Sequence, residues 1–115
     1  MTIRILHNPG CSKSRATLAL LRDAGIDPEI SLYLESPPDA EELRSILDKL
    51  GMNPRELMRK GEAEFKQQGL DDETLSDDEL INALVATPKL IQRPIVLAGT
   101  HAAIGRPPES VLDIL

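Results

Sequence analysis

The most reactive group this chain offers is one thiol. Cys11 stands in "HNPGCSKSR", residues 7–15, after a turn-forming Asn8-Pro9-Gly10 and before a stretch of helical spacing. Free backbone N–H groups and the helix dipole favour negative charge at a helix start, so a cysteine there is drawn toward its thiolate. His7, Lys13 and Arg15 are candidate cationic neighbours. An ordinary thiol with a pKa of about 8.5 is only about 3% thiolate at neutral pH, and lowering that pKa by two units takes about 2.7 kcal/mol. A helix end contributes about 0.3 to 2 kcal/mol. The rest must come from hydrogen bonds to backbone N–H groups, the Ser14 hydroxyl or a cation. The competing reading, a small buried hydrophobe, fits the polar company of Cys11 poorly. His101 falls at an expected hairpin tip and reads as exposed and inert.

The surrounding pattern supplies elements to hold this thiol. "TIRIL" alternates and reads as a strand at 2–6, stopped by Asn8-Pro9-Gly10. "SKSRATLALLRDAG" has Leu18, Leu21 and Ala24 at helical spacing and ends on Gly25. "EISLYL" puts Ile30, Leu32 and Leu34 on one face of a second strand. Strand, helix and strand in that order imply a right-handed unit with parallel strands.

Helices follow. Asp39 with Glu42, and Ser76 with Glu79, have capping-box spacing; Asn53-Pro54 opens a helix, Gly61 and Gly69 bracket a polar one at 62–68, and Pro88 ends the last. Pro94–Leu97 and Ala102–Gly105 then read as an antiparallel hairpin around Gly99-Thr100-His101. A final helix begins at Pro107-Pro108 and runs through Val111 and Leu112. The expectation is a single domain over 1–115 with a helical insert at about 38–88. Its α/β order is β-α-β, insert, β-β-α around a mixed four-stranded sheet.

Composition narrows the function. Hydrophobic residues at 41% suffice for a core, and aromatics at 2% leave no stacking platform for single-stranded nucleic acid. Net charge is 13 − 19 = −6, which also argues against a nucleic-acid partner. The acids concentrate in the middle: residues 35–82 carry 14 acids and 6 bases, a net −8, while each end is net +1. Bases from the two ends could therefore build a positive site on an acidic protein; the plainer reading is a solvated helical face. One cysteine cannot form an internal disulfide, and one cysteine with two separated histidines is no zinc ligand set. The opening residues have too short an apolar run for a signal peptide, and no stretch approaches the roughly 20 apolar residues of a membrane span. A cytoplasmic protein without nucleic-acid or membrane partners is expected, with a monomer favoured.

The stretches "HNPGCSKSR", "LYLESPP", "RELMRK", "LIQRPIV" and "IGRPPESVLDIL" together resemble the glutaredoxin-dependent arsenate reductase (ArsC-like) family, in matching order along essentially the whole chain. The resemblance is to a short subgroup that lacks a C-terminal tail after the "GRPP" helix. It implies a thioredoxin-like fold with a helical insert. It also implies Cys11 as nucleophile, His7 as the residue favouring its thiolate, and Arg59, Arg93 and Arg106 as oxyanion ligands. Ser14, Arg15 and Asn8 would assist, and Pro94 would be the cis-proline facing the cysteine. Arginine suits such a role, presenting a rigid fork of donors that never deprotonates. The implied reaction is reduction of arsenate to arsenite, with glutathione as co-substrate, glutaredoxin as partner, and no bound cofactor or metal. An external resolving thiol fits a chain with one cysteine.

Two alternatives stand beside this reading. The substrate could be a different oxyanion or a thiol, or the chain could be a redox-responsive regulator that binds RNA polymerase. The latter relatives use Cys-x-x-Cys, and position 14 here is Ser. A cysteine phosphatase loop needs Arg six residues after Cys, where this chain has Thr17.

Overall fold

The computed structural model describes residues 2–115. The chain divides into two compact units: Met1–Ser36 with Arg93–Leu115, and Pro37–Gln92.

The first unit holds the sheet. Strands β1 (Ile3–Leu6), β2 (Glu29–Ser31), β3 (Ile95–Ala98) and β4 (His101–Ile104) lie in the order β2-β1-β3-β4. The β1–β2 pair is parallel, and the β1–β3 and β3–β4 pairs are antiparallel. Helix α1 (Ser12–Asp23) makes the parallel crossover. Ser14, Thr17, Leu18 and Leu21 of α1 are buried, spaced 3, 4 and 7 residues from the first. Leu18 and Leu21 join Ile5, Val96 and Val111 in one apolar cluster. A mixed four-stranded sheet of the thioredoxin-like class is thus present.

The hairpin register matters most for the site. Leu6 pairs with Ile95, and Ile95 with Ile104. The residues just beyond, His7, Pro94-Arg93 and Gly105-Arg106, are thereby gathered at one end of the sheet. Gly99, at φ 62, opens the two-residue loop between β3 and β4.

Three sequence expectations need correction. Strand β2 is shorter than 29–34, because the chain turns at Leu32, whose carbonyl accepts the N–H groups of Glu35 and Ser36. The apolar face expected there is wrong: Ile30 is 40% and Leu34 44% exposed, and Tyr33 is the buried residue. Alternation beyond Ser31 carries no facing information once the strand has ended. The final segment, Pro108–Ile114, is a 3-10 helix rather than an α-helix, with only Val111 buried.

The second unit contains α2 (Ala40–Leu50), α3 (Pro54–Leu57), α4 (Ala63–Gln67) and α5 (Asp77–Ala86). Its caps follow the sequence signals. Asp39 accepts the Glu42 N–H at 2.8 Å, and Asn53–Glu56 and Ser76–Glu79 form reciprocal capping boxes. Gly51, at φ 67, terminates α2. Helix α5 packs on α2 and α3, and an isolated bridge joins Met58 to Ile91.

Candidate active site

Cys11 is the N-cap of α1, in an extended conformation, with its carbonyl accepting the Arg15 N–H at 3.0 Å. The preceding turn is tied together locally. The Asn8 side-chain oxygen accepts the Gly10 N–H, and the Asn8 carbonyl accepts the Cys11 N–H, each at 3.0 Å. Arg15 donates from Nη1 to the Pro9 carbonyl at 2.8 Å. Cys11 is buried.

Its thiol pKa is nonetheless lowered. Burial pushes it up, and this is the largest single effect. The Ser14 N–H, the Arg93 side chain, the Lys13 N–H and the Arg93 charge together push it down further. The neutral thiol makes no capping bond with the helix. The gain therefore belongs to the thiolate, which draws on unpaired N–H groups of the first turn. Arg106 adds a second guanidinium: Nη2 lies 3.7 Å from Sγ, while Nε donates to the Arg93 carbonyl at 2.8 Å. The Arg93–Pro94 and Arg106–Pro107 peptides are both cis. The family resemblance implies the cis bond at Pro94 and not the one at Pro107.

The cations acting on the sulfur are thus Arg93 and Arg106, not the sequence neighbours. Lys13 acts through its backbone, and the Arg15 guanidinium is turned to Pro9. His7 is buried, and its Nδ1 lies 2.6 Å from the Ser14 hydroxyl, which also accepts the Asn8 N–H at 3.0 Å. Its pKa is lowered by burial first and by Arg22 and Arg15 after that. A neutral imidazole bonded to Ser14 replaces the cationic neighbour considered from the sequence.

Arg59 lies in the second unit. Its Nε donates to Glu62 at 3.2 Å, its Nη1 to the Gln92 side-chain oxygen at 3.1 Å, and its N–H to the Leu90 carbonyl at 2.7 Å. Lys89 Nζ is 3.6 Å from the other Glu62 oxygen. Among the described residues no cluster of His, Cys, Asp or Glu could hold a metal ion.

Two supporting residues escaped the sequence reading. A side chain at Gly105 would meet the Thr17 hydroxyl and approach the Pro94 ring to 2.8 Å. Gly105 is therefore what lets α1 approach the hairpin end that carries Arg93 and Arg106. Thr17, buried, donates back to the Lys13 carbonyl at 2.8 Å. The available signal was the glycine before the second of two Arg-Pro pairs, at 93–94 and 106–107.

A thiolate flanked by guanidinium groups is equipped to attack an electrophilic oxyanion centre while its negative oxygens are held. Comparison with known proteins agrees with that chemistry. The ArsC family model matches residues 6–114. The chain belongs to the ArsC family. It is 55% identical to the uncharacterized protein YfgD of Escherichia coli (strain K12), over 98% of this chain and 96% of that one. It is 50% identical to the arsenate reductase of Haemophilus influenzae over the full length of both. Among solved structures, the arsenate reductase from Vibrio cholerae superposes with a TM-score of 0.98 at 51% identity, covering all of this chain and 98% of that one. Like its ArsC relatives, the protein is an oxidoreductase.

Proposed function

We propose that this ArsC-family protein reduces arsenate to arsenite, using Cys11 as a covalent nucleophile and glutathione with glutaredoxin as electron source. The observation that carries the reading is Cys11 at a helix start with Arg106 Nη2 at 3.7 Å from its sulfur, and with the Arg93 side chain among the groups that lower the thiol pKa. Both arginines would bind arsenate oxygens, and the resemblance gives Arg59 the same role. Ser14, Arg15 and Asn8 would hold the loop, and His7 would hold Ser14.

The electrons balance as follows. The Cys11 thiolate attacks As(V), and an arsenate oxygen leaves as water after protonation, giving a sulfur–arsenic bond. The glutathione thiolate attacks Sγ; the S–As electron pair departs with arsenic, which becomes As(III). A Cys11–glutathione disulfide remains, and a glutaredoxin thiolate removes the glutathione. Two thiols supply the two electrons, and the chain needs one cysteine.

The reading also treats residues 1–115 as one functional domain working in the cytoplasm as a monomer, with about 38–88 as a helical insert. Arsenate turnover followed through NADPH-linked glutathione reductase, with glutathione and glutaredoxin present, tests it. Wild-type turnover that vanishes in Cys11→Ser supports it. Turnover retained by Cys11→Ser, or absent from the wild type, overturns it.

A further inference from the structure

A groove of about 490 Å³ lies beside α1, walled by His7, Arg15, Leu18, Ala19, Arg22 and Asp23. Cys11 is not among the residues lining it. Leu18 and Ala19 give it an apolar part, Arg15 and Arg22 bring two guanidinium groups, and Asp23 brings one carboxylate.

The hydrogen bonds of His7 sharpen what this groove would accept. The Ser14 hydroxyl has one proton to donate and already accepts the Asn8 N–H. Nδ1 of His7, at 2.6 Å, is the acceptor left for that proton. Burial and the two arginines favour the neutral imidazole, and assigning the Ser14 proton to Nδ1 leaves the ring's own proton on Nε2. His7 is 6% exposed and forms part of the groove wall. The groove therefore combines two cations, a neutral N–H donor, an apolar patch and one carboxylate. A compact dianionic oxyanion would meet Asp23 unfavourably and leave the apolar part unfilled. A zwitterion with carboxylates, an ammonium and a short apolar stem matches every group.

We propose that this groove binds the peptide portion of the thiol co-substrate, with carboxylates on Arg15, Arg22 and His7 Nε2 and the ammonium on Asp23. The proposal rests on the glutathione-dependent reading above. The lengths agree: Arg15 and Arg22 lie about 10 Å apart along the helix, and an extended tripeptide spans about 10 Å.

The test uses S-methylglutathione, which carries the same charges but no thiol, titrated into the full chain with the His7 imidazole resonances and calorimetry as readouts. Inorganic phosphate is titrated in parallel. The expected result is a shift of the His7 resonances by S-methylglutathione and binding about tenfold weaker in Arg22→Ala and in Asp23→Asn. In turnover, Arg22→Ala raises KM for glutathione about tenfold and leaves KM for arsenate unchanged. Unmoved His7 resonances, equal binding by the variants, or phosphate filling the groove as tightly as S-methylglutathione would overturn the proposal. The binding arms contain no arsenate, so they stand or fall separately from arsenate reduction. Wild-type turnover with an unchanged glutathione KM in Arg22→Ala would sink the groove and leave the reaction intact.

Discussion

The two units treat their arginines differently. In the first, Arg93 and Arg106 bear on a sulfur, and they are placed by backbone: a strand register that gathers both at one sheet end, and the Arg93 carbonyl that accepts from Arg106. In the second, Arg59 is held by Glu62 and Gln92, and Glu62 by Lys89. The contrast separates a site in which cations tune a nucleophile from one in which a cation is balanced by a carboxylate. A charge beside a buried thiolate shifts its chemistry, whereas a partly exposed ion pair contributes little.

The largest break in that comparison is Cys11→Ser, expected to abolish glutathione-dependent arsenate turnover in the coupled assay while the far-ultraviolet circular dichroism is unchanged. Next come Arg93→Ala and Arg106→Ala. Losing one donor to a developing oxyanion typically costs about 10² to 10³-fold, so kcat/KM for arsenate should fall by that range with the fold retained. A fall below tenfold in both would remove them as oxyanion ligands. Gly105→Ala acts on the same unit through packing. With the Thr17 side chain and the Pro94 ring in the way, it should destabilise the chain by about 1 to 3 kcal/mol in urea unfolding. The smallest effect belongs to the second unit. The Arg59–Glu62 pair has side-chain exposures of 23% and 25%, and Glu62→Gln should change stability by less than about 1 kcal/mol. Arg59→Ala should raise KM for arsenate about tenfold if the arginine binds oxyanion; an unchanged KM would leave oxyanion binding to the first unit.

Ser14 shows where sequence reasoning ran out. From the sequence, its hydroxyl is a candidate hydrogen-bond donor to the thiolate, and Ser14→Ala would raise the thiol pKa. In the structure the hydroxyl is taken by His7 and Asn8, and the Ser14 backbone N–H serves the sulfur. Alanine keeps that N–H. The variant should therefore leave the thiol pKa nearly unchanged and instead cost about 1 to 3 kcal/mol for an orphaned buried imidazole nitrogen. The helix start at Cys11, the capping box at Ser76–Glu79, the N-caps at Asp39 and Asn53 and the hairpin were legible because each depends on residues close in sequence. Arg106 against Cys11 spans 95 positions, and only the family resemblance pointed to it. The buried Tyr33 and exposed Ile30 were illegible for another reason: β2 is a three-residue edge strand, so Ile30, though paired with the buried Ile5, has a neighbour strand on one side only, and Tyr33 lies beyond the strand in the turn.

The central claim is that tertiary arginines and helix N–H groups hold Cys11 as a thiolate. Its most direct measurement is the pH dependence of iodoacetamide alkylation, in the wild type and in Arg93→Ala. A lowered folded pKa means the thiolate persists to lower pH, so the reactivity midpoint should fall below the value of about 8.5 for free cysteine. Arg93→Ala should move it back upward, because that side chain stabilises the charged form. A wild-type midpoint at or above that of free cysteine, or one that Arg93→Ala leaves in place, would contradict the account.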